Sequence, residues 1–381
     1  MNDSYNFDSI RPYNDNEVKK ALTNLLEQDL FIQSINKIAP QWNKELIISY
    51  FNKATTIKEF QKEVIYPVAK SIIRDSITEL SFSGIGNIEK DKTYLFISNH
   101  RDIVLDSALL NVVLLENGFE TFEIAIGSNL LTIPWVKDIV RLNKSFVVNR
   151  NVQPQELYNY SQLLSAYIRH TILEKKVSIW IAQREGRAKD GNDQTQSSVL
   201  KMLALNAGCN AIDHFKTLNV VPISISYEFD PCDINKAIEL DIKCQGLSYE
   251  KAPNEDFKSM IRGIIGQKGR VHIAIGKVID EELSELTSVN NKNEQIRILA
   301  DIINRQIFKN YKLWPNNYIA LNLLDNSADS SKFNTEEKTS FVNYVETKLD
   351  KLEGNRESVR QLLHQMYANP VINVENIINT H

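Results

Sequence analysis

The chain has 381 residues, 43% of them hydrophobic and 24% charged, the balance of a soluble globular protein with room for one sizeable core and smaller appended parts. Its net charge of −4 excludes an overall attraction to nucleic acid or to an anionic surface, so any electrostatic recognition must be local. Its three cysteines, Cys209, Cys232 and Cys244, make no paired spacing, no CxxC and no cluster with histidine, which argues against a disulfide framework and a structural metal and fits a reducing compartment.

The opening MNDSYNFDSIRPYNDNEVKK is polar and lacks the apolar core of a signal peptide. EVKKALTNLLEQDLFIQSI and TIKEFQKEVIYPVAKSIIRDSI place apolar residues at helical spacing, so residues 1–85 read as a helical region. Gly84-Ile85-Gly86-Asn87 is a turn signal and a domain boundary. From Thr93 the rhythm changes. TYLFISN is an apolar run of strand length, followed by the helix IVLDSALLNVVLLENG, closed by Gly118. Then come strand FEIAIG, helix NLLTIPWVKDIV, strand SFVVNR, a long helix from about Pro154 to Lys175, strand VSIWIAQ, helix SSVLKMLALNAG, and strands LNVVPISISYEF and RVHIAIGKVI. Apolar strands alternating with helices predict an α/β fold over residues 86–280, a mixed sheet covered by helices on both faces. Residues 281–381 read as a helical C-terminal region: one helical stretch from DEELSEL to FKNY, then TEEKTSFVNYVETKLDKLEG and ESVRQLLHQMYA, with LLDNSADSSKFN as a polar linker.

No apolar run reaches the roughly 18–20 uncharged residues of a spanning helix. Val104 to Leu115 carries Asp106, and Ile124 to Val140 carries Lys137 and Asp138. A membrane would therefore be met from its surface, with Leu130, Leu131, Ile133 and Trp135 as the expected patch and Lys137 assisting.

The sharpest chemical feature is Ser98-Asn99-His100-Arg101-Asp102-Ile103-Val104-Leu105-Asp106. A histidine directly after an apolar strand, at the start of a helix, stands where α/β sheets place their sites. Asp106, about one and a half turns on, is close enough to reach back. A His–Asp pair makes a working base, because the carboxylate fixes the ring tautomer and stabilises the imidazolium. Taken alone, His100 is a helix-start residue and Asp106 a capping carboxylate, which is what most isolated pairs of this kind are. Other segments are weaker. Arg262-Gly263-Ile264-Ile265-Gly266-Gln267-Lys268-Gly269-Arg270 reads as a solvated turn before a strand, with an anionic donor as the alternative. His170, His214 and His272 read as packing or surface histidines. Leu105, Leu109, Val112 and Val113 form a helix core stripe or one wall of an acyl tunnel.

Four segments in order alter the weight of the His–Asp pair: Asn99-His100…Asp106, Phe146-Val147-Val148-Asn149-Arg150, Trp180-Ile181-Ala182-Gln183-Arg184-Glu185-Gly186-Arg187, and Val220-Val221-Pro222-Ile223. In sequence order, spacing and strand context they resemble the glycerol-3-phosphate and lysophosphatidate acyltransferase superfamily, over about residues 86–280. The chain looks like a divergent member. Five residues, not the usual four, separate histidine from aspartate; Leu105 holds the usual place, so Asp106 is the expected partner and Asp102 the fallback. The third segment lacks the usual proline before glutamate, and its arginine comes one residue early.

The resemblance implies transfer of a fatty acyl group from acyl-CoA or acyl-ACP to a hydroxyl of a glycerol-phosphate or lysophospholipid-type acceptor, without a covalent acyl-enzyme. His100 would be the base and Asp106 its orienting group. Arg150 and Arg187 would hold an anionic group of the acceptor. Asn99, Glu185 and Gly186 complete the expected binding set, Gly186 through a turn or a close backbone approach. No metal and no cofactor beyond the acyl donor is implied, and no nucleic acid. The expected partners are the donor carrier, the lipid acceptor and a membrane surface, and the expected location is cytoplasmic, peripheral on the inner face of the membrane. Two alternatives stay open: an acyltransferase for another hydroxylated lipid, such as an aminolipid, and a catalytically inactive lipid-binding protein of the same fold. An unrelated phosphate-binding α/β protein would need a glycine-rich loop after a strand, and none fits.

Overall fold

The structure is a computed structural model that describes residues 5–38, 42–150, 152–207 and 210–379; Cys209 lies outside them. Seven strands form one sheet: β1 (Glu79–Ser83), β2 (Leu95–Ser98), β3 (Glu123–Gly127), β4 (Ser145–Val148), β5 (Ile179–Ala182), β6 (Val220–Tyr227) and β7 (Arg270–Ile275). Their order is β1-β7-β6-β2-β5-β3-β4, parallel throughout except that β6 and β7 run antiparallel. The central strands are continuous apolar runs because both faces are covered. Leu95 and Ile97 of β2 and Ile179 and Ile181 of β5 point into one core, with the helices Pro154–Leu173, Ser197–Leu203 and Lys292–Asn310. Phe96 and Trp180 point into the other, against the helix Leu105–Glu116. The result is the expected α/β architecture with a mixed sheet.

Two smaller cores flank it. The N-terminal helices pack on the helix Pro134–Leu142 through Phe31, Trp42, Ile47 and Phe60 around Trp135 and Val136. The C-terminal helices Pro315–Asp325, Thr335–Leu349 and Arg356–Asn379 build the other. β1 precedes residue 86 and the helix Lys292–Asn310 follows residue 280, yet the first extends the sheet and the second lines its core through Ile296, Leu299 and Ile303.

Several local expectations are corrected. β1 lies in the stretch read as helical; Leu80 and Phe82 alternate with Glu79, Ser81 and Ser83, a period of two that a five-residue run barely displays. The helical stretch after residue 280 is two helices, Glu281–Leu286 and Lys292–Asn310, the second started by the Asn291 side chain, which accepts from the amides of Asn293 and Glu294. Leu323, Leu324 and Asp325, assigned to the linker, finish the helix Pro315–Asp325, which stops at Asn326 with φ 57°. The last helix runs on to Asn379 through Pro370. The basic segment 262–270 is no solvated turn. It closes the helix Glu255–Ile265, and its Lys268 is buried, donating to Ser76 Oγ, Ile264 O and Gly266 O.

Of the expected membrane patch, Trp135 is covered, while Leu130, Leu131 and Ile133 are half-buried. Trp135 is 6% exposed, with ring centroids of Phe31 and Phe257 at 5.6 and 5.9 Å, and Leu130, Leu131 and Ile133 pack on the same N-terminal core. Among the described residues no helix is long and apolar enough to cross a membrane.

Candidate active site

β2 delivers the loop that carries His100, and that loop is held from three sides. Ser98 is fully buried; its hydroxyl donates to Asn99 O (2.7 Å) and accepts from Trp180 Nε1 (3.0 Å), which leaves no nucleophile there. Asn99 is fully buried too. Its Nδ2 donates to Ile225 O (3.0 Å) and Asp193 Oδ2 (3.2 Å), and its Oδ1 accepts from Ile225 N (2.8 Å). The expectation that Asn99 binds substrate is therefore corrected: its amide ties the strand end to β6. Arg101 points away from His100, pairing with Asp193 at 2.6 Å, while Lys236 Nζ donates to its carbonyl at 2.8 Å.

His100 Nδ1 lies 2.8 Å from Asp106 Oδ2, with the imidazole 14% exposed and the carboxylate 1%. Oδ2 also accepts from the backbone amides of Arg101 (2.7 Å) and Asp102 (3.1 Å), and Oδ1 accepts from Tyr227 Oη (2.9 Å). Burial and the neighbouring Asp106 charge push the Tyr227 phenol well above its ordinary pKa, so it remains a donor. The carboxylate accepts from Nδ1, which leaves Nε2 as the ring's basic atom. The extra residue between histidine and aspartate is absorbed before the helix. Residues 101–104 are non-helical, the helix begins at Leu105, and Asp106 sits in its first turn. Asp102, the fallback partner, is occupied elsewhere: its Oδ1 accepts from the amides of Val104 (2.9 Å) and Leu105 (2.8 Å) and caps the helix start. Its carboxyl is pushed up by burial and by Asp106. Gly263 lies so close that a Cβ there would fall 2.0 Å from Asp102 Oδ2.

His100 faces a cavity of about 840 Å³. Its apolar lining comes from Ile124, Ala125 and Ile126 of β3, Val147 and Val148 of β4, Ile181 of β5, and Leu164, Val199 and Met202 from the covering helices. Its charged lining is Arg150, Arg184, Glu185, Arg187 and Lys189, with Glu239, Lys243, Lys251 and Asp256 from the segment after β6. Trp180 stands edge-on to His100, with centroids 5.8 Å apart and planes at 73°.

The expected binding residues other than Asn99 all line this cavity. Arg150 forms an ion pair with the largely exposed Glu185. A Cβ on Gly127 would reach within 3.0 Å of Arg150 Nε, so the glycine at the end of β3 makes room for the guanidinium. Gly186 takes φ 68°, the left-handed conformation that lets the loop turn after Glu185. Arg187 is half-buried; burial works against its charge, but Cys232, Asp102 and Asp230 outweigh it and raise its pKa. None of the stripe Leu105, Leu109, Val112 and Val113 lines the cavity: all four are buried, Leu105, Leu109 and Val113 in the core beneath, while Val104, Ser107 and Ala108 of the same segment line the cavity. Tyr227, Trp180, Arg184 and Lys189 were not singled out from sequence. Only Arg184 had a local signal, as an extra guanidinium inside the third segment.

The model of the Acyltransferase family matches residues 79–226, a span that holds His100, Asp106, Arg150, Glu185, Gly186 and Arg187. Among solved structures, the chain is similar to the crystal structure of the 1-acyl-sn-glycerophosphate (LPA) acyltransferase PlsC from Thermotoga maritima. The identity is 15% and the TM-score 0.39, over 75% of this chain and 95% of that one. A fainter likeness, 9% identity and a TM-score of 0.21 over 94% of this chain and 99% of the other, is to the signal recognition particle 54 kDa protein from Aeropyrum pernix K1 in complex with GDP. No curated protein matches the chain. Both structural likenesses are distant, and the likeness to the Acyltransferase family rests on the matched segment.

Proposed function

We propose, on the match of residues 79–226 to the Acyltransferase family model, that this protein moves a fatty acyl group from acyl-CoA or acyl-ACP to a hydroxyl of a glycerol-phosphate or lysophospholipid-type acceptor. The observation that carries this reading is the His100–Asp106 pair at 2.8 Å, with His100 lining one cavity that also has apolar and basic side chains in its wall.

The acceptor hydroxyl gives its proton to His100 Nε2 as its oxygen attacks the thioester carbonyl. Asp106 holds the ring through Nδ1 and stabilises the imidazolium that forms. Collapse of the tetrahedral intermediate breaks the C–S bond, and the imidazolium returns the proton to the leaving thiolate. General-base help of this kind contributes about 10²–10⁴-fold, and alignment of two bound substrates adds a comparable or larger factor. The acyl chain lies along Ile126, Val148 and Met202, where apolar burial favours it by roughly 0.8 kcal/mol per buried CH₂. Arg150 and Arg187 hold an anionic group of the acceptor.

The protein works in the cytoplasm and meets the inner face of the membrane reversibly. Leu157 and Tyr158, 54% and 58% exposed at the start of the helix Pro154–Leu173, offer apolar surface beside the cavity, which Leu157 also lines. The test is mass spectrometry of the products formed when purified protein receives palmitoyl-CoA or palmitoyl-ACP with glycerol 3-phosphate, lysophosphatidate or a hydroxylated aminolipid. An O-acylated glycerol-phosphate product supports the reading. Acylation of the aminolipid alone moves the acceptor class, and no product from any pair leaves a lipid-binding protein of the same fold.

A further inference from the structure

The charges around the cavity do not cancel. Arg150, Arg184, Arg187, Lys189, Lys243 and Lys251 line it against only three carboxylates, in a chain that is acidic as a whole. The carboxylates are already taken: Glu185 pairs with Arg150, Glu239 is shared by Lys189 and Lys243, and Asp256 pairs with Lys251. Arg187 has Cys232, Asp102 and Asp230 as neighbours. Among the described residues Arg184 and Arg187 are the two of the six without an ion pair; Arg187 has those three neighbours, Arg184 has no such set, and Arg184 Nε, like Arg150 Nε and Arg187 Nη1, is shielded from water with no acceptor.

Strand register brings this free cation to the reacting end. Ser98 of β2 pairs with Ala182 of β5, and Gln183 N donates to Ser98 O at 2.8 Å. His100 and Arg184 thus each stand two residues beyond a paired position on adjacent strands, and both line the cavity. Arg184 also occupies the place before glutamate where the resembling superfamily usually has proline. A proline would fix that backbone and bring no charge; arginine brings a planar fork suited to phosphate oxygens. A single carboxylate would balance one cation, whereas a terminal phosphate, close to doubly charged at neutral pH, matches the uncompensated excess.

We propose that Arg184 selects a phosphate-bearing substrate in this cavity, receiving a terminal phosphate beside His100. The inference rests on the cavity being the transfer site. The phosphate can come from the acceptor or from the donor's coenzyme, and the experiment separates the two. Binding of glycerol 3-phosphate and of free coenzyme A, with glycerol as control, is measured by calorimetry on the full chain, for wild type, Arg184→Gln and Arg184→Lys. The expected result is a tenfold or greater rise in Kd for one phosphate ligand in Arg184→Gln, partly recovered in Arg184→Lys. A loss confined to glycerol 3-phosphate assigns the acceptor, and a loss confined to coenzyme A assigns the donor. Wild-type protein that binds neither, or a glutamine variant that binds both as tightly as wild type, overturns the proposal. The readout is independent of turnover. If His100→Ala still transferred acyl groups while Arg184→Gln lost phosphate, the proposed chemistry would fall and the role of Arg184 would stand.

Discussion

Replacing Asp106 by asparagine isolates the charge of the His–Asp pair. Oδ2 accepts from His100 Nδ1 and from the amides of Arg101 and Asp102, and Oδ1 accepts from the Tyr227 hydroxyl. An asparagine turned with its oxygen in the Oδ2 place keeps all three of the first set. Its NH₂ then faces Tyr227, whose hydroxyl can rotate to accept. Geometry and tautomer survive, and only the negative charge is lost. A hydrogen bond to a charged group is worth about 1.5–3 kcal/mol and a neutral one about 0.5–1.5. Full Coulomb attraction between unit charges near 4 Å is about 4 kcal/mol at an effective dielectric of 20. The loss should therefore lie between about 1.5 and 4 kcal/mol, a fall in kcat of roughly 10- to 10³-fold. Alanine is the wrong variant, since it strands four donors at about 1–3 kcal/mol each. The assay is thiol release from palmitoyl-CoA at saturating acceptor, with thermal unfolding as the control for fold. Asp102→Asn is the companion, because its amide oxygen can still cap Val104 and Leu105, and it should stay close to wild type. A silent Asp106→Asn beside a crippled Asp102→Asn would refute the assignment.

Arg150→Ala should weaken use of an anionic acceptor by about 10- to 150-fold, the worth of one charge-assisted bond, with little effect on donor KM; lysine should restore only part, and a rise confined to donor KM would move this arginine to the donor. Met202→Trp should fill cavity space along the apolar lining and shift preference to shorter acyl chains, read by competition among acyl-CoAs of different length. Asp230 is buried, which pulls its pKa up, yet the Lys236 charge and hydrogen bond outweigh burial and hold it below the usual range. A depressed carboxylate contributes stability that is present above its unfolded pKa of about 3.9 and is lost as pH falls through the lower folded value. Asp230→Asn should therefore cost about 3–5 kcal/mol at pH 7, by leaving Lys236 buried and unpaired, and should flatten the acid limb of stability in urea titrations.

The sheet strands and His100–Asp106 were legible because each leaves a local mark: an apolar run of strand length, and a histidine where such a run ends. The shift of the aspartate by one residue was readable as a departure. Its resolution depended on Asp102 capping the helix from a loop, which spacing alone does not display. Trp135 misled because an apolar helix face looks the same whether lipid or another helix covers it; here Phe31 and Phe257 do. Asn99 misled because adjacency to a reacting residue is not access to the cavity; its amide is spent on Ile225 and Asp193. Tyr227 and Lys189 carry no signal in sequence, since what matters is the carboxylate each reaches across the fold, Asp106 and Glu239. Arg187 and Arg184 differ in function-bearing charge only because buried neighbours surround the first, a distinction that exists only in three dimensions.

The most direct test of His100 as the base is the initial rate of acyl transfer by His100→Ala beside wild type, at saturating donor and acceptor. The imidazole, 14% exposed, lines the cavity at a strand end and stands outside the packed cores, so alanine should leave thermal unfolding close to that of wild type. The expected result is a loss of about 10²–10⁴-fold in kcat with folded protein. A folded alanine variant whose kcat stays within about a factor of three of wild type, against the factor of at least about 100 that a positioned base supplies, would contradict it.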